Sequence, residues 1–157
     1  MPGYKAAKNS LTLLFGDNAS SDMKLKPLLV YYSENPRALK NIAKGSLLVL
    51  WKSNPKACVT QTVFQDWFFH HFIPEVEKYC LKKDILFKIL LLLDSALGHP
   101  PFMDDFHPNV KVMHLPPNTT SLIQPMDQGV IATSKKYYLR HTFHQTVKVS
   151  DESGTTL

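Results

Sequence analysis

The run "FKILLLLDSALGHP" constrains this chain more than any other stretch. Leu90, Leu91, Leu92 and Leu93 follow one another without alternation, the pattern of a strand buried on both faces. A strand of that kind belongs inside an α/β domain, where helices cover it. It ends on Asp94. A carboxylate buried without a partner costs several kcal/mol, so the position needs a reason. One reading makes Asp94 a hard oxygen donor for a metal, held where ligands gather at the carboxyl ends of strands. The other makes it a cap for the backbone of the loop "DSALGH". The strand alone leaves both readings open.

The rest of the chain supplies a domain around that strand. "LTLLF" and "LKPLLVYY" (residues 11–15 and 25–32) predict a hairpin joined by a Gly/Asn/Ser/Asp turn. Pro27 demotes part of the second strand to an edge. "SENPRALKNIAKGS" is a polar, basic excursion with room for one helical turn, and "LLVLWKS" predicts a third strand. Thr60 is placed to cap a helix through "QTVFQDWFFHHF", with Val63, Phe64, Trp67, Phe68 and Phe72 on helical spacing as core. Pro74 should break or restart that helix before "PEVEKYCLKK". "VKVMHL" predicts another strand, stopped by Pro116 and Pro117. Pro125 suits the first turn of a last helix over 125–146, with Asp127 in that turn. The order β-β-β-α-β-β-α predicts an α/β domain with a mixed sheet over residues 1–146, followed by a disordered tail at 147–157.

At 157 residues the chain has room for one domain with a sizeable core. The apolar run at 89–93 is far too short to cross a bilayer, and no membrane association is expected. The first ten residues hold no apolar h-region, so no signal peptide is expected. Cys58 and Cys80 form no CxxC pair and read as reduced intracellular thiols. In that setting the Asn-x-Ser/Thr matches at Asn18 and Asn118 carry no glycosylation. Charge is uneven. Residues 1–60 carry nine Lys/Arg against three Asp/Glu, residues 61–109 four against seven, and residues 110–157 five against three. A basic first third suits a polyanion, and Lys24, Lys26, Arg37, Lys40 and Lys44 are its candidate nucleic-acid contacts. A merely solvated surface is the competing reading.

Asp127 lies 33 positions beyond Asp94, at a predicted helix start. Two carboxylates from separate elements suit Mg²⁺, which takes few protein oxygens beside phosphate and water. An acid favoured by the helix dipole is the alternative. Asp17 and Asp22 fall in the hairpin turn, and Asp104 and Asp105 on a loop. His99, His107 and His114 match no zinc spacing, and adjacent His70 and His71 read as half-buried structural residues on different helix faces.

"LLLLDSALGHP", then "NVKVMHLPPNTTSLIQPMDQGVIA" and "YYLRHTF", resemble the DDE domain of Tigger/pogo-type transposases. "DMKLKPLLVYYSENPRALKN" and "VFQDWFFHHFIPEVEKYC" extend the resemblance over residues 2–146. The resemblance implies a ribonuclease-H-like fold, a two-metal Mg²⁺ or Mn²⁺ site, DNA as partner, and a nuclear setting. It casts Asp94 as the second catalytic and metal-binding aspartate and Asp127 as the third. The family's first catalytic aspartate lies on an earlier strand, central in the sheet, with no counterpart in this sequence. Asp17 is the nearest substitute. Ser95 and Leu97 also depart from the family's usual "DNAPGHP", and Ser134 stands where an aromatic is common. The expectation is a transposon-derived, N-terminally truncated DDE domain that binds DNA and is catalytically incomplete for cleavage and strand transfer. A homo-oligomer, or a partner supplying the missing strand, would complete it. The alternatives are a metal-free DNA- or protein-interaction module, or a poorly folding remnant.

Overall fold

The computed structural model describes residues 11–94, 106–116, 126 and 129–153. It comprises two compact units, Met1–His114 and Leu115–Leu157. The first contains β1 (Thr12–Leu14), β2 (Leu28–Tyr31), β3 (Leu50–Ser53), α1 (Gln61–Trp67), a π-helical turn (Phe68–Phe72), α2 (Ile73–Lys83), β4 (Ile89–Leu93) and β5 (Val110–His114). In the second, α3 (Val130–Ser153) follows Gly129. Gly129 takes φ 118°, a value that glycine adopts readily, and its carbonyl accepts the Thr133 N–H at 2.8 Å.

The predicted hairpin forms, with β1 antiparallel to β2 in the register Thr12↔Val30, Leu13↔Leu29 and Leu14↔Leu28. β2 is not an edge, however, because its other side pairs in parallel with β3. Pro27 ends up just before the strand, where its missing N–H breaks no ladder bond and its carbonyl still accepts the Leu50 N–H at 2.8 Å. β3 is the outer strand of this three-stranded sheet. Its Lys52 is in register with buried Val30, so a cation points inward from an edge strand. Asp66 of α1 receives it, with Nζ 2.6 Å from Oδ2. An inward charge of this sort discourages another chain from pairing with the edge.

β4 and β5 pair in parallel as a separate two-stranded sheet, so the expected single mixed sheet is divided among the described residues. The leucine run is also covered on one side only. Ile89, Leu91 and Leu93 turn toward the core, while Leu90 and Leu92 remain 55% and 53% exposed.

One core serves both sheets. Leu28 and Val30 of β2, Leu93 of β4, and Val110 and Val112 of β5 join Phe64, Trp67, Phe68, Phe72, Val76 and Cys80 of the helical layer. Thr60 caps α1 as expected, its Oγ1 accepting the Val63 N–H at 3.3 Å. Pro74 does not interrupt the helical layer; it stands at the start of α2, after the π-turn. The buried residues explain that turn. Phe64, Phe68, Phe72, Val76 and Cys80 recur every four residues. At 100° per residue, each α-helical step of four overshoots a full turn by about 40°, or about 160° across the set. The wider π-turn takes up part of the drift and keeps the row on the sheets. α2 then ends on Asp84 in the left-handed region, with the Ile85 N–H bonded to the Cys80 carbonyl at 3.0 Å. The last helix was expected over 125–146. Its described part starts later and runs to Ser153, since no Gly or Pro intervenes before Gly154.

Candidate functional site

Parallel pairing from Ile89↔Val110 to Leu93↔His114 brings the carboxyl ends of β4 and β5 to one edge. Asp94 is the next residue after β4 and is partly buried. Its placement is set by Leu93, 6% exposed in the core, and by the ladder that begins where the Ile89 N–H meets the Asn109 carbonyl at 2.8 Å. This is the strand-end position expected of it. Asp127 lies outside the described residues, as do Asp104, Asp105, Ser95, Leu97 and His99. Among the described residues, no group of three or more His, Cys, Asp and Glu side chains is arranged to hold a metal ion. His107 has a structural role: its Nδ1 accepts the Asn109 N–H at 3.2 Å and its ring packs 5.3 Å from Phe87.

Asp17 is exposed and forms an isolated antiparallel bridge with Lys24 across the hairpin, in keeping with a turn residue. Asp22, in the same turn, does more than the sequence suggested. Its Oδ1 accepts from the Asn18 amide at 2.7 Å and the Tyr79 hydroxyl at 2.8 Å. Its Oδ2 lies 2.7 Å from Lys83 Nζ. Bonds from Asn18, Lys83 and Tyr79 hold the Asp22 carboxyl far below the usual carboxylate range. Bonding to Asp22 in turn raises the pKa of the Tyr79 hydroxyl and of the Lys83 ammonium. The hairpin is thereby tied to α2. Tyr79 and Lys83 lie one helical turn apart, which was the only trace of this cluster in the sequence.

Lys24, Lys26, Arg37 and Lys40 are exposed, as an electrostatic contact surface requires. Lys44 differs, being 3.6 Å from Glu34 Oε1. The excursion between β2 and β3 holds two short 3₁₀ turns, Arg37–Leu39 and Lys44–Ser46, where one helical turn was expected. Asn35, Arg37 and Lys40 line a cleft of about 330 Å³ in its first half. A second cleft of about 200 Å³ lies between Lys24 and Lys26 ahead of β2 and His71 on the π-turn. His71 is half-buried as expected, whereas His70 is exposed, with its Nδ1 3.3 Å from Asp66 Oδ1. Burial lowers the His71 pKa and favours its neutral form.

Comparison with known proteins adds the remaining findings. Residues 8–154 match the family model described as DDE superfamily endonuclease. The human "Tigger transposable element-derived protein 7" is 33% identical over 159 residues, covering 98% of this chain and 29% of that protein. The human "Jerky protein homolog" is 39% identical over 134 residues, 83% of this chain and 23% of that protein. "ARS-binding protein 1" of Schizosaccharomyces pombe is 27% identical over 147 residues, 88% of this chain and 26% of that protein. The chain thus spans about a quarter of the length of these curated relatives. No solved structure matches it.

Proposed function

The chain belongs to the DDE superfamily of endonucleases, in its Tigger/pogo-type branch, and on that premise we propose that it is a transposon-derived DNA-binding domain that does not cut DNA alone. The observation that carries this reading is an exposed cationic surface on a chain whose residues 8–154 match a DDE family model. Lys24, Lys26, Arg37 and Lys40 face solvent. A relative named for ARS binding supports DNA as the partner, and a DNA-binding role fits the nucleus. Among the described residues no helix is long and apolar enough to cross a membrane.

In this reading the domain is ribonuclease-H-like, and Asp94 and Asp127 are what this chain contributes to a Mg²⁺ or Mn²⁺ site. A third carboxylate, on a strand between β1 and β4, would complete that site. Two features support that placement. β1 and β4 each pair on one side only among the described residues, and both sheets share one core.

The test is incubation of residues 1–157 with transposon-end DNA and Mg²⁺ or Mn²⁺. No cleavage or joining is expected. Metal-dependent cleavage lost in both Asp94→Ala and Asp127→Ala would overturn the reading, and Asp17 would be the next residue to mutate. Calorimetric titration with Mn²⁺ separates the weakened metal site from the alternative of a metal-free interaction module, which gives no heat.

A further inference from the structure

The cleft of about 200 Å³ beside the π-turn is not used by the metal-site reading. Its apolar lining is Leu25, Leu50, Trp67 and Phe72, of which Trp67 and Phe72 are buried and so form its floor. Lys24, Lys26, His71 and Glu75 complete its lining. The volume is below the roughly 300–1,000 Å³ of pockets for drug-sized ligands, so the occupant is small. An inorganic anion would satisfy the lysines but leave the apolar floor uncovered. An aliphatic side chain would cover the floor and leave the lysines, the imidazole and the carboxylate unanswered. A nucleobase with its phosphate meets all of them. Its ring covers an apolar surface, its phosphate pairs with lysine, and its exocyclic amine donates to a carboxylate. The cleft has room for one base rather than a base pair.

We propose that this cleft holds one unpaired DNA base, with Leu50 and Trp67 beneath its ring, Lys24 and Lys26 at its phosphate, and Glu75 at its amino edge. Cytosine and adenine, which carry that amino group, are preferred over thymine. His71 meets the same base as a neutral imidazole, able to donate or accept according to its tautomer. The inference rests on the DNA-binding reading and adds a preference for opened or single-stranded DNA.

The experiment uses residues 1–157 carrying Trp51→Phe, which leaves Trp67 as the single tryptophan. Affinity and Trp67 emission are measured with a blunt duplex, the same duplex with one unpaired cytosine, and a third with an abasic nucleotide there. The unpaired cytosine should tighten binding about tenfold over the other two DNAs and alone change the emission. Leu50→Phe, which fills the cleft, should remove the tenfold preference. Should Leu50→Phe fail to fold, exposed Glu75→Gln serves instead and should abolish the preference for unpaired cytosine over unpaired thymine. Equal affinity for all three DNAs overturns the inference while DNA binding stands. Absence of binding to any DNA overturns the DNA-binding reading. In that event titration with dCMP decides the cleft alone: saturable change in Trp67 emission supports it, and no change refutes it.

Discussion

The steepness with which DNA affinity falls with salt offers the most direct measure of the proposed interface. Lys24, Lys26, Arg37 and Lys40 are exposed, while Lys44 already has Glu34 3.6 Å away. A cation that neutralises a phosphate releases about 0.9 of a counterion from duplex DNA. Four contacts made together give a log–log slope of about −3.6, so raising salt fourfold should weaken binding roughly 150-fold. Lys24→Gln with Lys26→Gln should reduce the slope by about 1.8, and Arg37→Gln with Lys40→Gln by the same amount. Lys44→Gln should change it by less than one contact, since Glu34 competes with phosphate for that ammonium. Fluorescence anisotropy of a labelled duplex across a salt series measures all of these. A slope near zero, or one unmoved by either double substitution, refutes the electrostatic account.

Local structure was legible where a single residue carried the signal. Thr60 before a helical pattern gave the α1 cap, and the Gly/Asn/Ser/Asp turn gave the hairpin. Pairing between distant strands was less so. Nothing within "LKPLLVYY" says that β3 will dock in parallel on its far side, because that contact depends on the 18-residue excursion between them. The four leucines misled for a related reason. A continuous apolar run says that both faces of β4 favour burial, but whether something covers the second face is decided elsewhere in the chain.

The site divides in the same way. Asp94 could be placed from sequence because a charge closing an apolar strand demands an explanation that few positions offer. The Asp22 cluster could not, since Asn18 and Asp22 sit 61 and 57 residues from Tyr79 and look like ordinary turn formers. The cleft beside the π-turn was equally hidden. It requires knowing that the helix widens at Phe68–Phe72, and that follows from adding up four-residue steps along a whole row, not from any one residue.

Three further predictions concern stability, measured by urea and thermal unfolding of residues 1–157. Phe68 is fully buried, with its ring 5.3 Å from Phe72, and Phe68→Ala should lose about 3–5 kcal/mol. Asp84 holds φ 54° and sets a negative charge at the α2 C-terminus, so Asp84→Gly should gain about 0.5–1 kcal/mol; a loss would mean its side chain has an unrecognised role. The last concerns acid. Because the Asp22 carboxyl is held far below its unfolded value, the unfolded chain takes up its proton first as pH falls. Its contribution is therefore complete above about pH 5 and declines steadily below the ordinary carboxylate value near 4. Asp66, lowered by the hydrogen bond from Lys52, acts in the same direction. Wild-type midpoints should thus drop between about pH 5 and pH 2, and Asp22→Asn should flatten part of that limb while lowering the midpoint at pH 7. An acid limb of unchanged steepness in Asp22→Asn would show that the tie between the hairpin and α2 does not discriminate the folded from the unfolded chain.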